Sequence, residues 1–328
     1  MPQINNFPGG FAAGITIRGM PVAVTHPGKV FWVGNSGVFS DRQIGSSDGN
    51  KGTFDASFST ITGALAQTTA NRGDIIFVKP GHTETVSAAA GIVLSKAGVA
   101  IIGLGQGSTR PTVTLDTANT ATITVTANNV TVSNILFKAN FLNIATCFSI
   151  ANAQVANDFT VDNCEFRDNS VILNFVACVK VGTTANIADG LTLTNNRVNA
   201  KILTTVPAGQ TFCVTASIID RLNISKNVVI YPKDLAQTAC LLEAGALDLT
   251  NAIIDGNYVF RPATDTIGHL IGSSSTACSG FVSNNYVAHL DNSAGLIIPT
   301  GTKFSFFNNY SMVTGAADKS ALINPVAV

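Results

Sequence analysis

Asp189 and Asp220 stand 31 residues apart, and Arg221 directly follows the second. If the chain repeats with a period near thirty residues, these two carboxylates share one column on successive repeats, with Asp158 offset by one position. Neighbouring strands lie about 5 Å apart. That separation suits the carboxylate pair of a retaining glycosidase or the oxygen ligands of a calcium ion. The competing reading is structural. All three aspartates stand where a loop enters a strand, in the contexts Asn157-Asp158-Phe159, Ala188-Asp189-Gly190 and Ile219-Asp220-Arg221, a usual place for an Asx turn. Asp162 and Asp255 share another column three repeats apart, about 14 Å, which is too far to cooperate. No residue is therefore assigned as catalytic, and Asp189, Asp220 and Arg221 stand as the only candidates.

Other chemistry is thinly represented. His82 and His289 lie singly among turn residues and are expected to be solvated. There is no GxGxxG run, P-loop or nucleophile elbow. The six cysteines lack CxxC or Cys/His metal spacing, so neither a metal nor another cofactor is expected. Stacked cysteines could approach disulfide distance, but no secretory signal precedes the chain, so reduced thiols acting as small apolar residues are expected. Asn223-Ile224-Ser225 and Asn309-Tyr310-Ser311 match a glycosylation pattern that a non-secreted chain would not use.

The elements that must position these residues are repeats. VTVSNILF, FTVDNCEF, LTLTNNRV, LNISKNVV, AIIDGNYV, FVSNNYV and FSFFNNYS share one frame: alternating apolar residues, two turn residues, then a further apolar position. Taking the second turn residue as register gives Leu104, Ile135, Cys164, Asn196, Asn227, Asn257, Asn285 and Asn309, in steps of 24 to 32 residues. Such a step lacks the ten to fifteen helical residues of a strand–helix unit. It fits three short strands and three turns, one coil of a parallel β-solenoid that buries its apolar face only by stacking on its neighbours. Eight positions at about 4.8 Å per rung give a rod on the order of 40 Å long.

In a solenoid, columns matter more than sequence neighbours. The first turn column reads Asn134, Asn163, Asn195, Lys226, Gly256, Asn284 and Asn308, and the second adds Asn196, Asn227, Asn257, Asn285 and Asn309. Asn and Gly tolerate left-handed backbone, and stacked Asn amides hydrogen-bond from rung to rung. One position on, Tyr258, Tyr286 and Tyr310 form an aromatic column, readable as a stacking ladder or as a sugar-binding strip. Glu165 and Arg197 sit in that column as a surface ion pair. A further pair of consecutive columns is apolar: Cys147, Cys178, Cys213, Cys240, Leu270 and Leu296, then Phe148, Val179, Val214, Leu241, Ile271 and Ile297. Because side chains on a strand alternate faces, one of the two is expected to point outward. An outward apolar stripe requires a covering surface, most simply a homotrimer of parallel rods.

Composition agrees. The 328 residues are 46% hydrophobic and only 12% charged, with zero formal net charge, whereas ordinary domains are about 25% charged. No stretch approaches the roughly 18 to 20 apolar residues of a membrane span. The opening MPQINNFPGG has neither basic n-region nor apolar h-region, so no signal peptide is expected. No basic excess exists to neutralise phosphates, so nucleic acid is not an expected partner. Ahead of the coils, Ser57 to Ala70 places Phe58, Ile61 and Leu65 on one helical face, with Ser57 or Ser59 as N-cap, a short helix fit to cover the first rung.

The segment FSTITGALAQTTANRGDIIFVKPGHTETV resembles the entry segment of the pectin-lyase-like right-handed parallel β-helix superfamily, in which a TI-x-x-A helix leads to a GD-x-I-x-V-x-PG strand. The resemblance covers roughly Gly52 to Tyr310 and implies an all-β, single-stranded right-handed parallel β-helix of about eight to nine coils, with a capping helix and an N-terminal arm. It implies no single activity, because the superfamily spans lyases, hydrolases, tailspikes and non-catalytic virion proteins. Its lyases gather aspartates for calcium and use an Arg or Lys base; its hydrolases use Asp pairs. The hydrolase Asp-Asp, Gly-His-Gly and Arg-x-Lys elements are missing here, and Gly268-His269 is followed by Leu270.

The N-terminal stretch is also similar to the opening of phage structural proteins. The expected organisation is an arm over residues 1–50, the β-helix over 51–315 and a tail or cap over 316–328. The expected role is a non-catalytic phage virion protein, a homotrimeric capsid decoration or cement protein whose partners are its own copies and the major capsid protein. Phe7, Phe11, Ile15, Ile17 and Trp32 of the arm would attach it. The alternatives are a tailspike-like polysaccharide depolymerase and a receptor-binding fibre using the Tyr column.

Overall fold

The computed structural model describes residues 16–17, 20–21, 28–35, 45–201, 210–231, 239–261, 269–273, 275–289, 303–313 and 321–322. Short strands alternate among three faces. The first sheet has ten strands, from Val30–Val33 through Ile75–Val78 and Ala100–Gly103 to Lys303–Phe307. The second, also of ten, runs from Thr83–Val86 to Tyr310–Val313 and is closed by Ala321–Leu322; the third has seven, from Ile92–Leu94 to His269–Ser273. Neighbours within these sheets pair in parallel, apart from the closing strand. This is the single-stranded right-handed parallel β-helix expected, the handedness being that of nearly all parallel crossovers.

The register read from the Asn pairs matches the pairing residue for residue. Ser133, Asp162, Thr194, Ser225, Asp255 and Ser283 align across the first sheet, each two positions before its predicted register residue. Strands alternate half-buried and buried residues, as in Thr112–Leu115 and Ile75–Val78. The inward column of Ile76, Ile101, Val132, Val161, Leu193 and Ile224 is at most 2% exposed. Each such side chain contributes about 1.5–3 kcal/mol by leaving water, and only because the next coil covers it.

Three expectations are corrected. The seven-stranded third sheet gives seven complete three-stranded coils among the described residues, not eight to nine. The arm ends earlier than residue 50: Val30–Val33 pairs with Ile75–Val78 as the first rung, with Phe31 and Val33 in the core. Trp32 packs on Phe54 and Phe77, ring centroids 4.9 and 5.2 Å away, so it belongs to the end of the rod and not to an attachment arm. The helix spans only Ile61–Gln67, and Thr60 is its N-cap, accepting from Gly63 N. Residues 59 and 60 are pinned outside it, because the Asp48 carboxylate accepts from both backbone amides and both hydroxyls at 2.7–2.9 Å. Phe7, Phe11 and Ile15 lie outside the described residues; Ile17 pairs with Met20 in a two-residue antiparallel ladder.

Candidate functional site

At the corner between the first and second sheets, the two Asn columns behave differently. Asn134, Asn163, Asn195, Asn284 and Asn308 have φ between 48° and 56°, and Lys226 and Gly256 share that left-handed turn. The second column is inside. Asn196, Asn227, Asn257, Asn285 and Asn309 are at most 1% exposed, and each of the last four accepts, through Oδ1, the backbone N–H of the column member one rung earlier, at 2.9–3.1 Å. Their Nδ2 groups donate to first-sheet carbonyls at 2.8–2.9 Å. The apolar interior here contains one continuous chain of amides.

The carboxylate candidates lie at another corner, where the chain enters the first sheet. Asp158 and Arg221 both have φ 56°, and their amides donate to the carbonyls of Asp189 and Thr250 one rung on. Asp189 Oδ1 accepts Asp220 N at 2.9 Å, as Asn157 Oδ1 accepts Asp189 N at 3.0 Å. Asp220 Oδ1 accepts Thr250 Oγ1 at 2.7 Å and Asn251 Nδ2 at 2.8 Å. Its Oδ2 faces Arg221 Nε at 3.4 Å, and Arg221 Nη1 lies 3.3 Å from Asp158. Those two donors, with the neighbouring guanidinium, hold the Asp220 carboxyl below its ordinary range. Asp220 is therefore ionised at neutral pH and has no proton to give.

The same clamp recurs away from this column. Asp162 Oδ1 accepts Thr194 Oγ1 at 2.8 Å and Asn195 Nδ2 at 2.7 Å; Asp255 Oδ1 accepts Ser283 Oγ at 2.6 Å and Asn284 Nδ2 at 2.8 Å. In each case an aspartate before a left-handed residue binds the hydroxyl–amide pair of the next rung. Among the described residues, no group of three or more acidic, His or Cys side chains is placed to hold a metal.

Among the described residues, the expected outward apolar stripe on the third sheet is absent. Phe148, Val179, Cys213, Leu242 and Ile271 form one inward column. Cys147, Cys178, Cys240, Leu241 and Leu270 are buried as well, at most 3% exposed. Alternation fails because these residues turn the corner into the third sheet. Phe148 packs 4.9 Å from Phe137 and 5.5 Å from Phe159, while Phe212, one position before Cys213, reaches Phe166 at 6.0 Å. A longer connection before Thr211 shifts the register, so Cys213 pairs with Val179, and Val214 takes an outward place beside Lys180 and Glu243. Leu296 and Ile297 lie outside the described residues. All six cysteines are buried thiols outside any disulfide, and burial pushes the Cys164 and Cys213 thiols up to about 12. His82 is likewise buried, not solvated, at 1% exposure with Nε2 3.4 Å from Glu84; of His289 only the backbone is described.

The second sheet carries the aromatic column read from the sequence and, beside it, a column that sequence reading missed. One outward column runs Leu136, Glu165, Arg197, Val228, Tyr258, Tyr286 and Tyr310. Beside it runs Lys138, Arg167, Asn199, Ile230, Phe260 and Ala288. The early rungs are charged and the later ones apolar. Tyr258, Phe260 and Tyr286 are 41%, 36% and 45% exposed; round the corner Ile253, Phe281 and Phe307 are 44%, 54% and 53% exposed. Tyr286 and Tyr310 stack at 5.1 Å and 11°. Glu165 does not make its ion pair with Arg197. It is held by Arg167 at 2.7 Å and Arg110 at 3.5 Å. Following the column three positions past the turn would have exposed Lys138 and Arg167.

No family model matches the chain, and no curated protein does. Solved structures with a similar course include a rhamnogalacturonan lyase, with 12% identity, TM-score 0.39 and coverage of 86% of this chain and 87% of that one. Another is a pectin methylesterase mutant in complex with a hexasaccharide, with 10% identity, TM-score 0.48 and coverage of 88% and 91%. At these identities the likeness concerns the fold alone.

Proposed function

We propose that this parallel β-helix is a non-catalytic virion structural protein, a homotrimer that decorates or cements a phage capsid. The observation that carries this reading is the outer face of the second sheet, where the columns turn apolar from Val228 and Ile230 onward and leave aromatic rings exposed. A contiguous apolar strip of this kind on a chain with few charges marks an interface, and three parallel rods about a common axis cover it in a closed assembly. The clamp role of Asp162, Asp220 and Asp255 supports the non-catalytic part, since these carboxylates already serve the next rung. The attachment segment is the chain ahead of Gly28, because Val30–Val33 is already part of the rod. A receptor-binding fibre is the second reading, favoured by the exposed Tyr258 and Tyr286 rings.

Solution mass tests the assembly. Three chains of 34.0 kDa are expected, and Tyr258→Ser with Phe260→Ser should give a folded monomer; a monomeric wild type overturns the trimer. Deleting residues 1–27 should leave a trimer that no longer sediments with capsids. Cleavage of host polysaccharide by wild type but not by Asp189→Asn/Asp220→Asn would make the protein a depolymerase, and binding of host glycan without cleavage a fibre.

A further inference from the structure

The charged rungs of the second sheet enclose a cleft of about 550 Å³ lined by Arg110, Arg167, Arg197, Glu165, Asn163 and Ser108, among others. Three guanidinium cations face one carboxylate there, an excess of two positive charges on a chain whose formal net charge is zero. Lys138 stands beside Arg167 in the same outward column but does not line the cleft. Both oxygens of Glu165 are engaged: Oε1 accepts from Arg167 Nε at 2.9 Å and Nη2 at 2.7 Å, and Oε2 lies 3.5 Å from Arg110 Nη1. Arg197, exposed and one rung further on, has no hydrogen bond to it. Arg110 Nε is buried and, among the described residues, meets no acceptor. Asp162 lies round the corner, where its Oδ1 serves Thr194 and Asn195, and it does not line the cleft.

A guanidinium offers a planar fork of donors that fits oxyanions in pairs. Here one anchored fork, one under-used fork and one free fork converge on a space large enough for a small ligand. We infer that this cleft binds a doubly charged oxyanion, a phosphate group that is free or carried as a monoester on a sugar. The inference is independent of the trimer, whose apolar surface begins beyond these rungs.

Calorimetric titration of the full chain with inorganic phosphate at low ionic strength and pH 7.5 tests it. One site per chain is expected, with acetate binding more weakly. Arg110→Gln and Arg197→Gln should each raise Kd about ten-fold. Arg221→Gln, in the unrelated corner ion pair, should leave Kd unchanged. Glu165→Gln removes the competing carboxylate and should tighten binding, an effect that a merely structural role for Glu165 would not produce. Glucose 6-phosphate binding more tightly than inorganic phosphate, with glucose inert, would show that the group is carried on a sugar; equal affinities would show a free anion. Absence of phosphate binding, equal loss in Arg221→Gln, or weakening in Glu165→Gln overturns the site.

Discussion

Replacing Asn257 by alanine should separate the two Asn columns energetically. Its Oδ1 accepts from Asn227 N and Nδ2, both at 3.0 Å, while its Nδ2 donates to Ile224 O at 2.8 Å and Asn285 Oδ1 at 2.9 Å. Asn227 Nδ2 keeps Leu193 O, and Asn285 Oδ1 keeps the residue-257 N–H. The Asn227 N–H and the Ile224 carbonyl lose the amide that serves them, in a site where Asn227 and Asn257 are both 0% exposed. A buried N–H deprived of its partner costs about 1–3 kcal/mol and the further bond lost at the Ile224 carbonyl about 0.5–1.5 kcal/mol, so the variant should lose about 2–4 kcal/mol. Asn284→Ala, in the neighbouring column, keeps the interior amides intact. It meets left-handed strain at φ 52° and loses one exposed bond to Asp255, about 1–2 kcal/mol. Asn284→Gly should recover most of that. Guanidinium titration at fixed protein concentration, followed by circular dichroism and by fluorescence of the single tryptophan, Trp32, at the first rung, measures these differences. An Asn257→Ala loss no larger than that of Asn284→Ala would refute the buried ladder as a structural element.

Lys226 has φ 57° in a column otherwise held by Asn and Gly, so Lys226→Gly should stabilise by about 1 kcal/mol in the same titration. Asp168, 3% exposed, has its carboxyl raised by burial to about 6, although Gln210, Lys201 N and Phe175 N donate to it. A folded-state value above the ordinary 3.8 means that the protonated form favours folding. That stabilisation is complete below about pH 4 and is lost as pH rises through 6, in total about 3 kcal/mol. Asp168→Asn should flatten the wild-type stability profile between pH 4 and 7, and an unchanged profile would contradict the assignment.

Where a turn is made the same way in every coil, the sequence can be read directly. The left-handed residue recurs at this corner from Asn134 to Asn308 and the buried amide joins it from Asn196 onward, so their spacing reports the rung register. The third sheet was harder because two things break there together. The corner bends enough for consecutive side chains such as Phe212 and Cys213 to face inward, and the connection before Thr211 is longer than its neighbours, which displaces the cysteines from a single column. Strict alternation then assigns an outward stripe to residues that are core. The arginine cleft escaped for a different reason. Arg110 comes from a loop two coils before Glu165 and Arg167, and Arg197 from one coil after, so only the three-dimensional register brings them together.

The same register brings recurring aspartates to the spacing of a catalytic pair. A parallel coil stacks like positions about 5 Å apart, so any carboxylate that recurs at a corner meets the distance criterion for paired acids without having been placed for chemistry. Distance cannot discriminate here, but the donors can. A carboxylate that works on a substrate must keep an oxygen directed at the reacting group. In Asp162, Asp220 and Asp255, Oδ1 takes a hydroxyl and an amide from the rung that follows, a structural duty common to all three. Three copies of one arrangement, at positions that cannot all belong to one active site, are accounted for by the requirement common to them all: tying each corner to the next coil.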